Sequence, residues 1–201
     1  MQYSGEKEDS LIMENKEKST EFHPLTPDKW DDLEQLFGKK GAVGGCWCMF
    51  WRQTGAEFSK MRGEANRLAF KSLVESGTVP GILAYQGSEP AGWCAIGPRE
   101  SYSRLARTKV LAPVDTQPAW SITCFYIAKQ YRRKGLMRGL LNAAIGWAGN
   151  NGARIIESYP FDPPAEIHSA AYTGVVPVYL DTGFVEVMRR SPRRPIMRKF
   201  L

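Results

Sequence analysis

Gln130-Tyr131-Arg132-Arg133-Lys134-Gly135-Leu136-Met137-Arg138-Gly139-Leu140-Leu141 joins a strand-like run, Trp120 to Ala128, to a helix-like run that ends near Gly149. A strand that feeds a basic, glycine-containing turn and then a helix makes an anion cradle. Backbone N–H groups of the turn point at the ligand, and the helix dipole adds partial positive charge. Arg132, Arg133, Lys134 and Arg138 place four cations within seven residues, a density that suits a pyrophosphate. Cations at a helix N-terminus oppose the dipole, an arrangement disfavoured unless an anion sits there. Gly135 fits the close approach of backbone to such a ligand.

Working outward, Leu136, Leu140, Ala144 and Ala148, with Leu141 and Ile145, give the helix after the turn an apolar stripe. Arg154 to Pro160 then reads as a strand, so Trp120 to Tyr159 is a strand–helix–strand crossover, which predicts two parallel neighbours and a right-handed connection. Upstream, Ile82–Gln86 and Ala91–Gly97 flank Gly87-Ser88-Glu89-Pro90 as a hairpin. Thr26-Pro27 marks a helix start, with Trp30, Leu33, Leu36 and Phe37 at helical spacing through Lys39. A second helix is expected over Ala56–Ser76, an irregular basic insertion over Pro98–Gln117, a short helix near Val176–Thr182, and closing strands over Phe184–Arg190 and Arg194–Phe200. The alternation predicts an α/β (α+β) fold with a mixed, mainly antiparallel central sheet flanked by helices. A polar, unpatterned tail is expected over residues 1–21 and a single domain over 22–201.

Bulk properties bound the function class. The 201 residues fit one domain with a sizeable core, and 43% hydrophobic with 24% charged residues is ordinary for a soluble globular chain. No apolar run approaches the ~18 residues a membrane span needs. The first twenty residues lack an apolar signal region, so the cytoplasm is the expected location and no membrane partner is expected. The net charge of +6 sits in Met188–Leu201, where five Arg and one Lys face no acid, so the remainder sums to zero. That reads as a solvated basic tail and argues against a nucleic-acid partner, because no aromatic interleaving accompanies it. Cys46, Cys48, Cys94 and Cys124 lack the Cys-x2-Cys spacing of structural zinc, so reduced thiols and no metal are expected.

The turn resembles the acyl-CoA-binding pattern Gln/Arg-x-x-Gly-x-Gly/Ala of the GNAT N-acetyltransferase superfamily. Arg132 and Gly135 match the first two fixed positions, and Met137 stands where the family has Gly or Ala. Val178-Tyr179-Leu180-Asp181-Thr182-Gly183-Phe184-Val185-Glu186-Val187 is similar to that family's closing helix with Tyr, followed by Gly-Phe entering a strand. The resemblance covers roughly Pro24 to Leu201. It implies the family's fold, acetyl-CoA as co-substrate, and a pantetheine arm pairing with the backbone of Phe125, Tyr126 and Ile127. It also implies a pyrophosphate on Arg132, Arg133, Lys134, Gly135, Leu136, Met137 and Arg138. Tyr179 takes the place of the general acid that protonates the departing thiolate. Among the residues themselves, Glu157 is a candidate base, as a carboxylate in an apolar strand, although a salt-bridged structural role fits it as well. Asp162 and His168 are rival bases. Cys46-to-Arg52 is expected to wall the acceptor site, and Arg52, Arg99 and Arg104 either recognise an anionic acceptor or face water. The acceptor is a small-molecule or peptide amine, a homodimer is left open, and the rival reading is a non-catalytic CoA-binding or sensor module on the same fold.

Overall fold

The computed structural model describes residues 19–162 and 171–201. Its centre is a seven-stranded sheet in the order β1-β2-β3-β4-β5-β7-β6. The strands are β1 (Thr20–Pro24), β2 (Gly81–Gln86), β3 (Glu89–Pro98), β4 (Trp120–Ile127), β5 (Ile155–Ser158), β6 (Val185–Arg189) and β7 (Pro195–Phe200). Every neighbouring pair is antiparallel except β4 and β5, which the crossover makes parallel. The helices are α1 (Trp30–Phe37), α2 (Gly55–Met61), α3 (Glu64–Glu75), α4 (Ser103–Arg107), α5 (Leu136–Asn150) and α6 (Val176–Leu180).

The helices cover both faces of the sheet, and the apolar stripes decide which helix covers which face. On one face Leu136, Leu140, Leu141, Ala144 and Ala148 of α5 pack on Ile82, Ala84, Cys94, Ile122 and Ile156. On the other, Trp30, Leu33, Leu36 and Phe37 of α1 and Phe70 and Val74 of α3 pack on Leu83, Tyr85, Trp93 and Ala95. Trp93 is fully buried, its ring edge-on to Phe37 and Phe70, and its indole N–H meets Cys48 Sγ at 3.2 Å. Gly139 of α5 has a packing reason: a Cβ there would collide with the Phe22 ring of β1, so its absence lets the edge strand close onto the helix.

Several expectations are corrected. A strand already begins at Thr20, inside the stretch read as tail, while residues 1–18 lie outside the described residues. Its five residues pair with β2 from Thr20↔Gln86 to Pro24↔Ile82, a long-range pairing that polar composition conceals. The helix read as continuous over Ala56–Ser76 is two helices, because Arg62 is extended and Gly63 takes φ 84. Gly63 N–H donates to the Gly45 carbonyl at 3.0 Å, which ties the break to the preceding loop. The basic tail is exposed at Arg189, Arg190 and Arg193, but several of its arginines also fasten neighbouring loops. Arg190 donates to the carbonyls of Ala112 and Pro113, Arg194 to Tyr159, and Arg189 to Glu186, Asp162 and Pro192.

Arg198, only 3% exposed, lies between Asp115 (2.5 Å) and the fully buried Glu157 (2.8 Å). Removing Arg198 takes the nearest cation from buried Glu157 and leaves it only the more distant Arg99 at 3.6 Å. Arg198→Leu is expected to cost about 3–5 kcal/mol in urea unfolding, and Glu157→Leu/Arg198→Leu to recover much of that loss.

Candidate functional site

The site is organised by one irregularity in β4. Ala95 pairs with Cys124 but Ile96 with Ile122, which makes Thr123 an extra residue and β4 a bulged strand. A bulge bends its strand and re-aims the residues beyond it. β5 pairs with β4 only from Trp120 to Ile122 and ends there. Ala128 N–H donates to the Ala91 carbonyl at 3.0 Å, and ladder alternation then turns Tyr126 toward β3 and the N–H groups of Phe125 and Ile127 away from it. Those two groups face the gap β5 has vacated. The Ile127 carbonyl faces the same way and accepts Arg132 Nε at 2.9 Å. An extended ligand can add to such an edge as a strand.

Beyond Ile127 the chain turns into α5. Gly135 takes φ 79, a left-handed conformation that needs no side chain, and Arg133 takes φ 62 at the cost usual for a non-glycine residue. Among the described residues no side chain caps the N-terminus of α5, and no acid lies in its first turn, so the free N–H groups and the dipole meet no counter-charge there. Arg132, Arg133, Lys134 and Gly135 are exposed around this start. Lys134 lies 5.8 Å from the Tyr131 ring centre, and Tyr131 donates to Glu89. Arg138 pairs with Asp181 at 2.5 Å, both side chains more than half exposed, a contact of little net value that an anion could displace. Leu136 is buried in the core and Met137 half-buried against it, so these two contribute backbone rather than side chain. A cavity of about 300 Å³ borders Phe22, Tyr131, Lys134, Gly135 and Gly139.

Tyr179 of α6 is fully buried on the α5 face, 6.5 Å from the Phe125 ring and 5.1 Å from Phe184, whose N–H donates to the Tyr179 carbonyl. Its hydroxyl donates to the Thr173 carbonyl at 3.0 Å, and burial pushes its pKa well above the usual tyrosine value. Nothing in the spacing of residues pointed to that partner.

Glu157 accepts from Arg198, from Tyr159 at 2.8 Å, and lies 3.6 Å from Arg99 Nε. The Tyr159 hydroxyl also meets Ser121 Oγ of β4 at 2.8 Å. Glu157 therefore reaches β4 only through two hydroxyls, a relay invisible in the sequence because Ser121 and Tyr159 lie thirty-eight positions apart. Glu157 and Arg198 border a cavity of about 280 Å³ with Arg99, Asp115 and Tyr102. Asp162 is held by Arg189 at 2.7 Å, and His168 lies outside the described residues. Arg99 donates to Tyr159 and to the Leu111 carbonyl. Phe50 and Trp51 stand edge-on at 5.1 Å, with Phe58 at 5.3 Å and Tyr172 at 6.5 Å from Phe50, while Trp47 and Trp51 of the same run are buried in the core. All four cysteines are free thiols. Among the described residues no group of three or more His, Cys, Asp or Glu could hold a metal ion, and no helix is long and apolar enough to cross a membrane.

A bulged central strand with an open edge, a cation-rich helix start and a mainly antiparallel sheet define an α/β domain of the acyltransferase type. Residues 24–167 match the model of the acetyltransferase (GNAT) family, and the chain belongs to that family. Solved structures with the same fold include the PaiA N-acetyltransferase of Thermoplasma acidophilum in complex with coenzyme A, 14% identical over 91% of this chain and 99% of that one, with a TM-score of 0.51. A GNAT-family acetyltransferase of Streptococcus pneumoniae is 16% identical over 91% and 100%, with a TM-score of 0.52. A mosquito arylalkylamine N-acetyltransferase like 5b is 12% identical over 91% and 100%, with a TM-score of 0.56. At these identities the likeness is one of fold. No curated protein sequence matches the chain.

Two outcomes are expected from the site's electrostatics. Arg133→Ala/Lys134→Ala should weaken CoA binding by about 2–4 kcal/mol in calorimetry, two charge-assisted contacts' worth. Burial also raises Tyr102 to about 12 and holds Tyr159 and Tyr179 well above the usual tyrosine value. Unfolded tyrosines ionise near pH ~10, so above that the unfolded state has lost protons that the folded state keeps, and stability falls as pH rises. Melting temperature should decline from about pH 10 upward, and Tyr102→Phe should make that decline shallower.

Proposed function

We propose that the chain transfers an acetyl group from acetyl-CoA to a primary amine by direct attack. The observation that carries this reading is the junction of β4's open backbone edge with the uncapped, cation-rich start of α5. The edge suits the amide-bearing pantetheine arm, and the turn suits the pyrophosphate, with Arg133, Lys134 and a released Arg138 around it.

In the reaction the neutral amine's lone pair forms the N–C bond at the thioester carbonyl carbon, and the C–S bond breaks as the tetrahedral intermediate collapses. The Ile127 N–H polarises the carbonyl oxygen, a fixed dipole aimed where negative charge develops. Phe125 and Tyr126 complete the strand surface on which the arm lies. The amine's proton passes to water at the acceptor site, since Glu157 and the Ser121 and Tyr159 hydroxyls that join it to β4 are all fully buried. Tyr179 supplies a proton to the departing thiolate, exchanging its bond to the Thr173 carbonyl for one to sulfur.

Tyr179→Phe keeps the ring against Phe125 and Phe184 and removes only the hydroxyl. It is expected to lower turnover by roughly 10²- to 10⁴-fold in steady-state thiol release, with acetyl-CoA affinity nearly unchanged. Because burial holds the phenol protonated, the wild-type rate should show no alkaline fall from this group below about pH 10. A mutant as fast as wild type would assign the acid to solvent. CoA binding with no thiol release from any amine would make the chain a CoA-binding module instead.

A further inference from the structure

On the side of β4 away from α5, the wall from Phe50 to Gln53 meets the insertion through α4. Arg104 N–H donates to the Trp51 carbonyl at 3.1 Å, its Nε to the Phe50 carbonyl at 2.6 Å, and Ser103 Oγ to the Arg52 carbonyl at 2.8 Å. Arg104 lies flat over the Phe50 ring at 4.0 Å, and Arg52 over the Tyr102 ring at 4.6 Å. Among the described residues the two guanidiniums touch only neutral groups: carbonyls, rings and the Tyr102 hydroxyl. Arg67 and Arg198, also half-buried or buried, are by contrast answered by carboxylates, Glu34 for one and Glu157 for the other. Two half-buried cations without a counter-charge are costly.

A second observation falls at the same place. Among the described residues Trp51 Nε1, Gln53 Oε1 and Arg104 Nη2 are buried side-chain atoms without a hydrogen-bond partner. Trp51 and Gln53 are 6% exposed. Buried polar groups in native structures are paired as a rule, and an unpaired set marks a missing partner. These three belong to the wall and to the helix α4 that buttresses it. Arg52 Nη2 reaches the Tyr102 hydroxyl at 3.5 Å, and both lie beside Gly97, which pairs with Ser121 of β4. Arg52 thus stands one residue away from β4, beside the part of the strand that precedes the bulge.

We infer that the acceptor is an amine that also carries an anionic group, a carboxylate or a phosphate, with an apolar body lying against Phe50, Phe58 and Tyr172. The anion meets Arg52 and the free Nη2 of Arg104, which leaves the amine end directed at β4. This inference rests on the proposed acetyl transfer and names its substrate class. Arg52 determines specificity; Arg104 also holds the wall together and is the poorer target for substitution.

The test uses the full chain and matched acceptors: L-phenylalanine against L-phenylalaninamide and phenethylamine, and phosphoethanolamine against ethanolamine. Thiol release gives kcat/KM for each, and calorimetry on the same sample gives acetyl-CoA binding. The expected result is at least a tenfold preference for the anionic member of one set, the set showing it naming the anion. Arg52→Gln should remove most of that preference and Arg52→Lys should restore part of it, with KM moving more than kcat. Acetyl-CoA binding accompanied by equal or better use of the neutral amines, or by no use of any anionic one, overturns the inference and leaves the transferase reading standing. Absence of acetyl-CoA binding takes both down.

Discussion

The extra residue at Thr123 sets the constraint on which the rest of the molecule depends. A strand paired on both sides along its whole length has no backbone left for a ligand, and β4 lies between β3 and β5. The bulge bends it away from β5 after Ile122, so the same strand is structural at its start and open at its end. The sheet is held on one side by β3 and on the other by the buried ion pair of Glu157 and Arg198, which fastens β5 to β7. Opening a central strand exposes unpaired backbone groups, an arrangement that persists only where surrounding elements fix it.

Charge is distributed by the same logic. The arginines that give the chain its basic C-terminus are consumed in fastening loops: Arg190 on Ala112 and Pro113, Arg194 on Tyr159, Arg198 on Asp115 and Glu157. Among the arginines without an acid, two clusters stand beside β4: the start of α5 and the aromatic wall of α4 and Phe50–Gln53. Arg132, Arg133 and Lys134 face solvent, where an uncompensated charge costs little, whereas Arg52 and Arg104 are half-buried, where it costs more. The two clusters flank β4 from opposite faces, one suited to a nucleotide's phosphates and one to the other reactant.

Much of this architecture is legible in the residues. The apolar stripe of Leu136, Leu140, Ala144 and Ala148 has a period only a helix satisfies, the Trp120–Ala128 run is long enough for a central strand, and a crossover between parallel strands has one hand. The cations ahead of α5 are legible because they contradict the helix dipole, and a local contradiction in a sequence points to something the chain itself does not supply. Tyr179 and Glu157 are visible as residue types in order, yet the partners that decide their behaviour, Thr173 for one and Arg198 and Tyr159 for the other, are not.

The chain by itself determined the parallel pair, the apolar faces of α1 and α5 and the crowding of cations ahead of α5, because each depends on periodicity or on neighbours within one turn. Tertiary structure alone decided the bulge at Thr123, the pairing of β1 from within a polar stretch, the break at Gly63, the use of the C-terminal arginines and the unanswered cations Arg52 and Arg104. Each of these depends on which distant group arrives opposite a residue, and hydrogen bonds and charges at a few ångströms carry no signature in the spacing of residues along the chain.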